Sequence, residues 1–175
     1  MANSVVRLNG NGETRPSTFV NANQLTVQLT AADLATAGTL TLAVVNPTPG
    51  GGTSNSVTLN INNAVPVLTA LNPNLVAEGS QAQTLTVTGT GFVRGSQVLV
   101  NGQTRLTTYV SDTQLSIQLA ASDLATAGTL QIQVANPAPG GGTSNALPLE
   151  IRKRNPIPQI YRRRYNNEFE FMFVF

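Results

Sequence analysis

The sequence predicts an all-β protein made of tandem β-sandwiches. Three observations lead to this prediction: a low content of charge, short segments in which apolar and polar residues alternate, and a long internal repeat. Only 10% of the 175 residues are charged, against about 25% in a typical globular protein. Thr, Ser and Gln are abundant instead, and these side chains suit the solvent-facing side of a strand.

The internal repeat covers most of the chain. NPTPGGGTSN at 46–55 returns as NPAPGGGTSN at 136–145, DLATAGTL at 33–40 returns at 123–130, and QLTVQL at 24–29 returns as QLSIQL at 114–119. All three pairs share an offset of 90 residues, and roughly thirty of about fifty aligned positions are identical. The second copy is complete and begins near Pro66, whereas the first third of the unit has no counterpart in the first copy.

We therefore predict three parts. Residues 1–62 are a partial repeat that lacks its first strands (the first repeat), and residues 63–152 are a complete repeat (the second repeat). Residues 153–175 are a basic, Phe-rich tail, in which Asn155–Ile160 echoes Asn63–Leu68 as the broken start of a third repeat. The missing strands predict an unpaired sheet edge in the first repeat. We expect the melting temperature of that repeat to rise when upstream residues are added.

Each element of the complete repeat has a local signal. TLTVTGT at 84–90 alternates apolar and polar residues like a half-buried strand. Asn101-Gly102 predicts a type I′ hairpin turn, which needs positive φ at both central positions. QLSIQL alternates again, and AASDLATAG predicts one helical turn that Gly128 closes in a left-handed conformation. In the first repeat, Thr30 and Asp33 fit a capping box.

TLQIQVAN at 129–136 and TSNALPLEI at 143–151 complete the strands. Pro148 predicts that the last strand is an edge or is bulged there, because proline cannot donate to a sheet ladder. About seven short strands in roughly 85–90 residues indicate a two-sheet sandwich. Since the Cys–Trp–Cys pattern of antibody domains is absent, the sequence predicts tandem immunoglobulin-like β-sandwiches held by packing alone.

Three motifs of the second repeat resemble a known family: GTGFVRGSQVLVNGQ, DLATAGTL and NPAPGGGTSNALPLEI. Together they are similar to the IPT/TIG domain, an immunoglobulin-like fold of transcription factors, plexin-type receptors and bacterial surface proteins. The resemblance covers residues 66–151 fully and 5–61 in part. Its tandem form without disulfides is similar to bacterial multi-domain extracellular proteins. The loops that contact DNA in the transcription factors have no match, so the resemblance implies no binding residues.

Composition argues against most enzyme chemistry. The chain has no Cys and no His, which removes thiolate nucleophiles and the commonest general base. Residues 1–151 carry four basic and six acidic residues, so the net charge of +2 belongs to the tail. The Gly-rich loops lack the residues of a phosphate loop and fit plain turns better. We predict no catalytic, cofactor-binding or metal-binding residues. The acidic residues are scattered and interpreted as solvated: Glu13, Asp33, Glu78, Asp112, Asp123 and Glu150.

Carbohydrate binding usually needs exposed aromatic faces. Residues 1–151 contain only Phe19, Phe92 and Tyr109 as aromatics, and Phe92 in the GTGF motif is expected in the core. The basic tail has three interpretations. It binds nucleic acid or an anionic membrane surface, its alternating Phe residues form a terminal strand of an outer-membrane protein, or it is the remnant of an interrupted repeat. We favour the last.

The leading functional hypothesis is a non-catalytic spacer or adhesion module at the cell surface or outside the cell, within a longer secreted protein. Its partners are the neighbouring repeats, and nucleic acid is not expected as a partner. The alternative is an accessory module of a larger secreted enzyme that binds a polysaccharide or a protein. No apolar run reaches the ~20 residues of a transmembrane segment, and the first residues lack the apolar core of a signal peptide.

Overall fold

A computed structural model describes residues 3–9, 13–154, 159–165 and 168–174, the last two ranges as backbone only. The regular structure is almost entirely β, which confirms the predicted all-β class. The first repeat contains β1 (Val5–Leu8), β2 (Glu13–Asn21), β3 (Gln24–Val27), β4 (Gly38–Val45) and β5 (Val57–Ile61). The second contains β6 (Val67–Asn72), β7 (Leu75–Ala77), β8 (Gln83–Thr90), β9 (Gln97–Val100), β10 (Gln103–Arg105), β11 (Thr107–Ser111), β12 (Gln114–Leu119), β13 (Gly128–Asn136), β14 (Gly142–Thr143) and β15 (Leu147–Arg152). The tail contains β16 (Gln159–Tyr165) and β17 (Glu168–Val174).

The second repeat is a sandwich of two sheets. One sheet has the order β10-β9-β13-β15-β7, with β14 paired to β13, and the other has the order β11-β12-β8-β6. Strand β7 runs parallel to β15, and the other pairs are antiparallel. The alternating side chains of both sheets meet in one core of fifteen buried residues, which is the packing expected of an immunoglobulin-like sandwich.

Several local predictions are confirmed. Asn101 and Gly102 have φ of 50° and 79° and join β9 to β10 as the hairpin turn. Phe92 is buried in the core. Pro148 pairs with Gln131 of β13 on one side, while the pairing to β7 on the other side begins only at Glu150. The last strand is therefore an edge at Pro148, where a missing N–H costs nothing.

The first repeat is a single sheet of five strands in the order β3-β2-β1-β4-β5. Strands β6, β7 and β8 have no counterpart in it, so β3 pairs only with β2 and β5 pairs only with β4 among the described residues. Three residues form its buried cluster: Val6, Leu8 and Leu40. The small core is the physical consequence of a sheet whose apolar face has no complete second layer among the described residues.

Two local predictions are wrong. Gly128 does not close the turn in a left-handed conformation; it begins β13 with an ordinary φ, and the turn is a short 3₁₀ helix at Ala121–Leu124. The second repeat has ten strands rather than about seven, because the segment from Gln97 to Val110 is divided among β9, β10 and β11. The chain changes sheets between β10 and β11, where Leu106 is exposed.

The tail strands β16 and β17 pair with each other as an antiparallel hairpin. They form a two-stranded sheet of their own, and no pairing joins them to the sheets of the two repeats in the described chain. Part of the predicted echo, residues 155–158, lies outside the described residues. The interpretation of the tail as a remnant of a third repeat stays a prediction.

Leu34 and Leu124 occupy equivalent positions in very different surroundings, since Leu124 is 0% exposed and Leu34 is 46% exposed. We expect Leu124→Ala to lower the free energy of unfolding of the second repeat by about 2–5 kcal/mol, because it leaves a cavity in a packed core. Leu34→Ala in the first repeat is the matched control and changes stability by under about 1 kcal/mol, because its side chain is already half in water. Urea denaturation with residue-resolved hydrogen exchange measures both, and equal losses would contradict the difference in packing.

Candidate functional sites at the repeat junction and the open sheet

The link between the two repeats is held by backbone hydrogen bonds around Asn63. The Asn63 N–H donates to the Pro139 carbonyl at 2.9 Å, and the Gly141 N–H donates to the Asn63 carbonyl at 2.8 Å. The Asn63 side-chain amide donates to the Pro137 carbonyl at 2.8 Å. Asn63 also forms a parallel β-bridge with Gly140. The two backbone bonds make up this bridge, so three hydrogen bonds hold the link against the second repeat. We call these three bonds the junction clamp.

Gly140 is required by this packing. A Cβ on Gly140 would lie 2.6 Å from the Cβ of Asn62 and 2.7 Å from the Asn63 carbonyl oxygen. Its φ of +69° is also one that residues with a side chain rarely adopt. The Gly-rich loop of the second repeat is therefore a turn, as predicted, with the further role of receiving the link.

Two asparagine side chains fasten the first strands of the second repeat. The buried side-chain amide of Asn136 donates to the carbonyls of Ala64 and Gly91 at 2.9 and 2.6 Å. Its oxygen accepts a hydrogen bond from the Ser96 hydroxyl at 2.6 Å. The Asn145 side chain binds both backbone groups of Leu68: it accepts a hydrogen bond from the N–H at 2.9 Å and donates one to the carbonyl at 3.1 Å. Both side chains thus recognise backbone groups of residues 64–91.

The equivalent asparagines of the first repeat are Asn46 and Asn55. Asn46 accepts a hydrogen bond from the Ser4 hydroxyl at 2.6 Å, which repeats the Ser96–Asn136 contact. In the second repeat the equivalent side chains bind the backbone groups of Ala64, Leu68 and Gly91. Those backbone groups have no counterpart among the described residues of the first repeat. Both asparagines line one groove on the open sheet.

This groove, which we call the open groove, has a volume of about 450 Å³. Its apolar wall contains Phe19, Leu25, Val27, Leu42 and Val44, and no charged residue lines it. Leu25 and Val27 correspond to Leu115 and Ile117, which are buried in the core of the second repeat on β12, the strand that pairs with β8. The open groove is thus the inner face of a sandwich that lacks part of its second sheet.

Four of the six acidic residues predicted to be solvated form ion pairs. Glu13 and Glu150 are about half exposed, whereas Asp33 and Asp123 are largely shielded from solvent. Arg15 donates to Asp33 through Nε at 3.0 Å and through Nη2 at 2.5 Å, and the Asp33 side chain is only 5% exposed. The equivalent Arg105 donates to Asp123 at 2.6 Å. The bidentate contact with Arg15, followed by the hydrogen bond from the Thr30 N–H, lowers the pKa of Asp33 from 3.8 to about 2. That N–H and the Asp33 N–H, which donates to the Thr30 hydroxyl at 3.3 Å, form the predicted capping box.

A second cleft lies beside the junction clamp. Its volume is about 590 Å³, and its walls include Ala35–Ala37 of the first repeat and Pro137–Pro139 of the second. Arg94 lies 5.5 Å from the centre of the Tyr109 ring, which is cation–π distance. The cleft therefore combines an aromatic face, the Arg94 guanidinium and the carboxylate of Asp112. We call it the junction cleft.

The described part of the chain holds no group of three or more metal-ligating side chains. Its few helical residues form nothing long and apolar enough to cross a membrane.

The sequence profile of the IPT/TIG domain matches residues 66–151. This segment belongs to the IPT/TIG family. A solved structure titled "Ca2+-stabilized adhesin helps an Antarctic bacterium reach out and bind ice" is similar to 91% of the chain, with a TM-score of 0.41 and 21% sequence identity. The chain spans 43% of the length of that structure. No curated protein matches the sequence.

Sequence patterns located the loops of the IPT/TIG domain but not their contacts. The return of NP-x-PGGGTSN in both repeats was the sequence signal for these contacts. Asparagine side chains can bind backbone groups, and glycines allow a neighbouring backbone to approach closely. Only the three-dimensional structure assigns Asn136 and Asn145 to residues 64–91, since those hydrogen bonds join residues more than 40 positions apart.

The glycine of the junction clamp provides a matched test. Gly50 occupies the equivalent position in the first repeat with φ of +77°, but a Cβ added to it would meet nothing within 4 Å. Gly140→Ala and Gly50→Ala therefore add similar backbone strain, and only Gly140→Ala collides with the link. We expect Gly140→Ala to cost about 1–3 kcal/mol more than Gly50→Ala and to speed hydrogen exchange at the Asn63 and Gly141 amides. Equal effects of the two substitutions on stability would contradict the clamp.

The Arg15–Asp33 pair predicts acid sensitivity of the first repeat. Because folding lowers the pKa of Asp33, its stabilising effect is complete above about pH 4 and is lost as the pH falls towards 2. We expect Asp33→Asn to remove this part of the pH dependence, while Asp112→Asn, a change at an exposed aspartate, retains it. Urea denaturation of both variants between pH 2 and pH 6 measures the difference. Identical pH profiles for Asp33→Asn and the unmodified chain would show that the pair contributes nothing.

Proposed function

We propose that this chain is a non-catalytic structural module, a section of a tandem immunoglobulin-like array that acts as a spacer or adhesion element. In this proposal it lies at the cell surface or outside the cell, within a longer secreted protein, and is divided as 1–62, 63–152 and 153–175. The observation that carries the proposal is the junction clamp. A link that is hydrogen-bonded to the following repeat restricts the angles that two neighbouring repeats can adopt.

The physical argument concerns stiffness. A flexible linker lets neighbouring domains reorient freely, whereas hydrogen bonds on both sides of Asn63 fix the direction in which the chain enters the second repeat. Each complete repeat then adds a length of roughly 35–40 Å, as estimated from strand length and rise. Such a rod suits the display of another module at a distance.

The absence of catalysis is supported by the available side chains. The sequence contains no His or Cys and a single lysine, Lys153. The carboxylates of Asp33 and Asp123 are engaged by arginines. Neither an activated nucleophile nor an acid–base pair is present among the described side chains, and these are the groups that acid–base and covalent catalysis require.

A second candidate function is polysaccharide or protein binding at the junction cleft. Its volume lies within the usual range of ligand sites, and the Tyr109 ring with Arg94 above it offers a polar and aromatic surface. The test is a glycan array with the full chain, and Tyr109→Ala is the matched variant. Saturable binding that Tyr109→Ala removes would favour this function over the spacer.

Stiffness at the junction is directly measurable because the chain has no cysteine. Spin labels attached at Asn60→Cys and Gln103→Cys, both exposed positions, report the distance between the repeats by pulsed electron paramagnetic resonance. We expect one narrow distance distribution, and a broad one after six Gly and Ser residues are inserted between Asn62 and Asn63. A distribution that is already broad in the unmodified chain would overturn the spacer proposal.

A further inference from the structure

We propose that a groove on the second repeat, which runs from the junction cleft past Tyr109, binds an acidic polysaccharide. The ligand is a linear chain of sugars that carry carboxylates. The inference rests on the second candidate function, binding at the junction cleft, and names its class of ligand. It does not depend on the stiffness of the junction, so it and the spacer proposal are tested separately.

The groove consists of two neighbouring clefts. The junction cleft and a cleft of about 300 Å³ are both lined by Arg94 and Tyr109, so they lie on either side of this pair. The smaller cleft continues along Gln97, Leu106 and Thr107. Two clefts in series fit a linear chain of several units, whereas one compact ligand would fill only one of them. We call the two clefts together the sugar groove.

Two opposite charges in the sugar groove have no partner in the described chain. Arg94 and Asp112 both line the junction cleft, but no ion pair joins them, and neither side chain forms a hydrogen bond with a described residue. The contact of Arg94 with the Tyr109 ring engages the positive charge but supplies no acceptor for the N–H donors. A carboxylate is the best acceptor for a guanidinium, because it takes two parallel hydrogen bonds.

Asp112 favours a ligand that also has hydroxyl groups. An ionised carboxylate only accepts hydrogen bonds, and it repels an anion that brings no donor. A sugar acid has both groups on one ring, so its carboxylate pairs with Arg94 while its hydroxyls donate to Asp112. Pro137 and Pro139 line the same cleft, and their apolar rings suit the C–H face of a sugar. The cleft therefore matches a sugar acid at three points.

An acidic peptide fits the sugar groove less well. A peptide that is recognised through its backbone adds a strand to a free sheet edge, and the edge beside the groove is β11. This strand has only five residues, Thr107–Ser111, and its register shifts between Tyr109 and Ser111. A short edge with a bulge is a poor template for another strand.

The fold does not need the polar groups that this proposal uses. At the offset of 90 residues, Tyr109 corresponds to Phe19 and Asp112 corresponds to Ala22. The β2–β3 pairing nevertheless has the same register as the β11–β12 pairing, including the bulge. By contrast, the arginine–aspartate ion pair beside the following turn is present in both repeats. The Tyr109 hydroxyl and the Asp112 carboxylate are therefore free to serve a ligand.

The test is calorimetry with the full chain and tetragalacturonate, a linear chain of sugar acids, in buffer without divalent cations. We expect saturable one-to-one binding. The methyl ester of the same oligosaccharide has the same rings and hydroxyls without the charge, and we expect it to bind about tenfold more weakly or worse. A tetraglutamate peptide has carboxylates without hydroxyls, and we expect it not to bind.

Two arginine variants test the ionic contact. Arg94→Gln is expected to weaken the affinity for tetragalacturonate about tenfold or more, because a neutral amide replaces the ionic partner of the carboxylate. Arg152→Gln is the matched control. It removes an exposed positive charge at the end of β15, outside the groove, and is expected to leave the affinity unchanged.

Asp112→Asn separates recognition of hydroxyl groups from simple attraction of charge. If charge alone attracts the ligand, removal of a negative charge strengthens the binding of an anion. If Asp112 accepts hydrogen bonds from hydroxyls, the substitution weakens binding about threefold or more, because hydrogen bonds to a charged group are the stronger ones. We expect the weaker binding, with an unchanged melting temperature because the first repeat forms the same hairpin with Ala22.

The acidic ligand class is overturned by no binding of tetragalacturonate, by equal binding of its methyl ester, by equal effects of the two arginine substitutions, or by tighter binding after Asp112→Asn. If a neutral glycan or a peptide binds instead and Tyr109→Ala removes that binding, the junction cleft remains a binding site and only the ligand class is wrong. The distances between spin labels decide the spacer proposal independently.

Discussion

An apolar sheet face must be covered, and in this protein the covering segment is fixed by asparagine side chains. Asn136 and Asn145 hold residues 64–91 through backbone groups, and the alternating Leu85 and Val87 then close the core. A β-sheet that is hydrophobic on one face is stable only against a second layer. The burial of fifteen core residues in the second repeat and three in the first follows from the presence or absence of that one segment.

The same loop serves two purposes in the complete repeat. This loop begins at Asn136, whose side chain is buried in the sandwich. Pro137, Pro139 and Gly141 follow and bind Asn63 at the surface of the second repeat. Closure of the core and the path by which the chain enters the second repeat are therefore coupled through a few residues. This coupling gives a physical reason for the return of NP-x-PGGGTSN in nearly unchanged form.

Most of the fold follows from patterns within short stretches of sequence. Alternation predicts the strands, Asn101-Gly102 predicts the hairpin, and the offset of 90 residues predicts the incomplete first copy. The errors have local causes as well: Gly128 begins a strand because the 3₁₀ turn ends before it, and Asp33 is shielded because Arg15 arrives from a different strand. The junction clamp and the open groove depend on contacts between distant residues, and hydrophobic periodicity contains no information about those.

The parallel pairing of β7 with β15 has a mechanical consequence. When the chain is pulled from its two ends, β7 is drawn backwards and β15 forwards along the same line. The hydrogen bonds that join Leu75–Ala77 to Glu150–Arg152 are then loaded together in shear, whereas strands that peel apart lose their bonds one at a time. The pairing of β7 with β15 therefore resists tension along the chain as one unit.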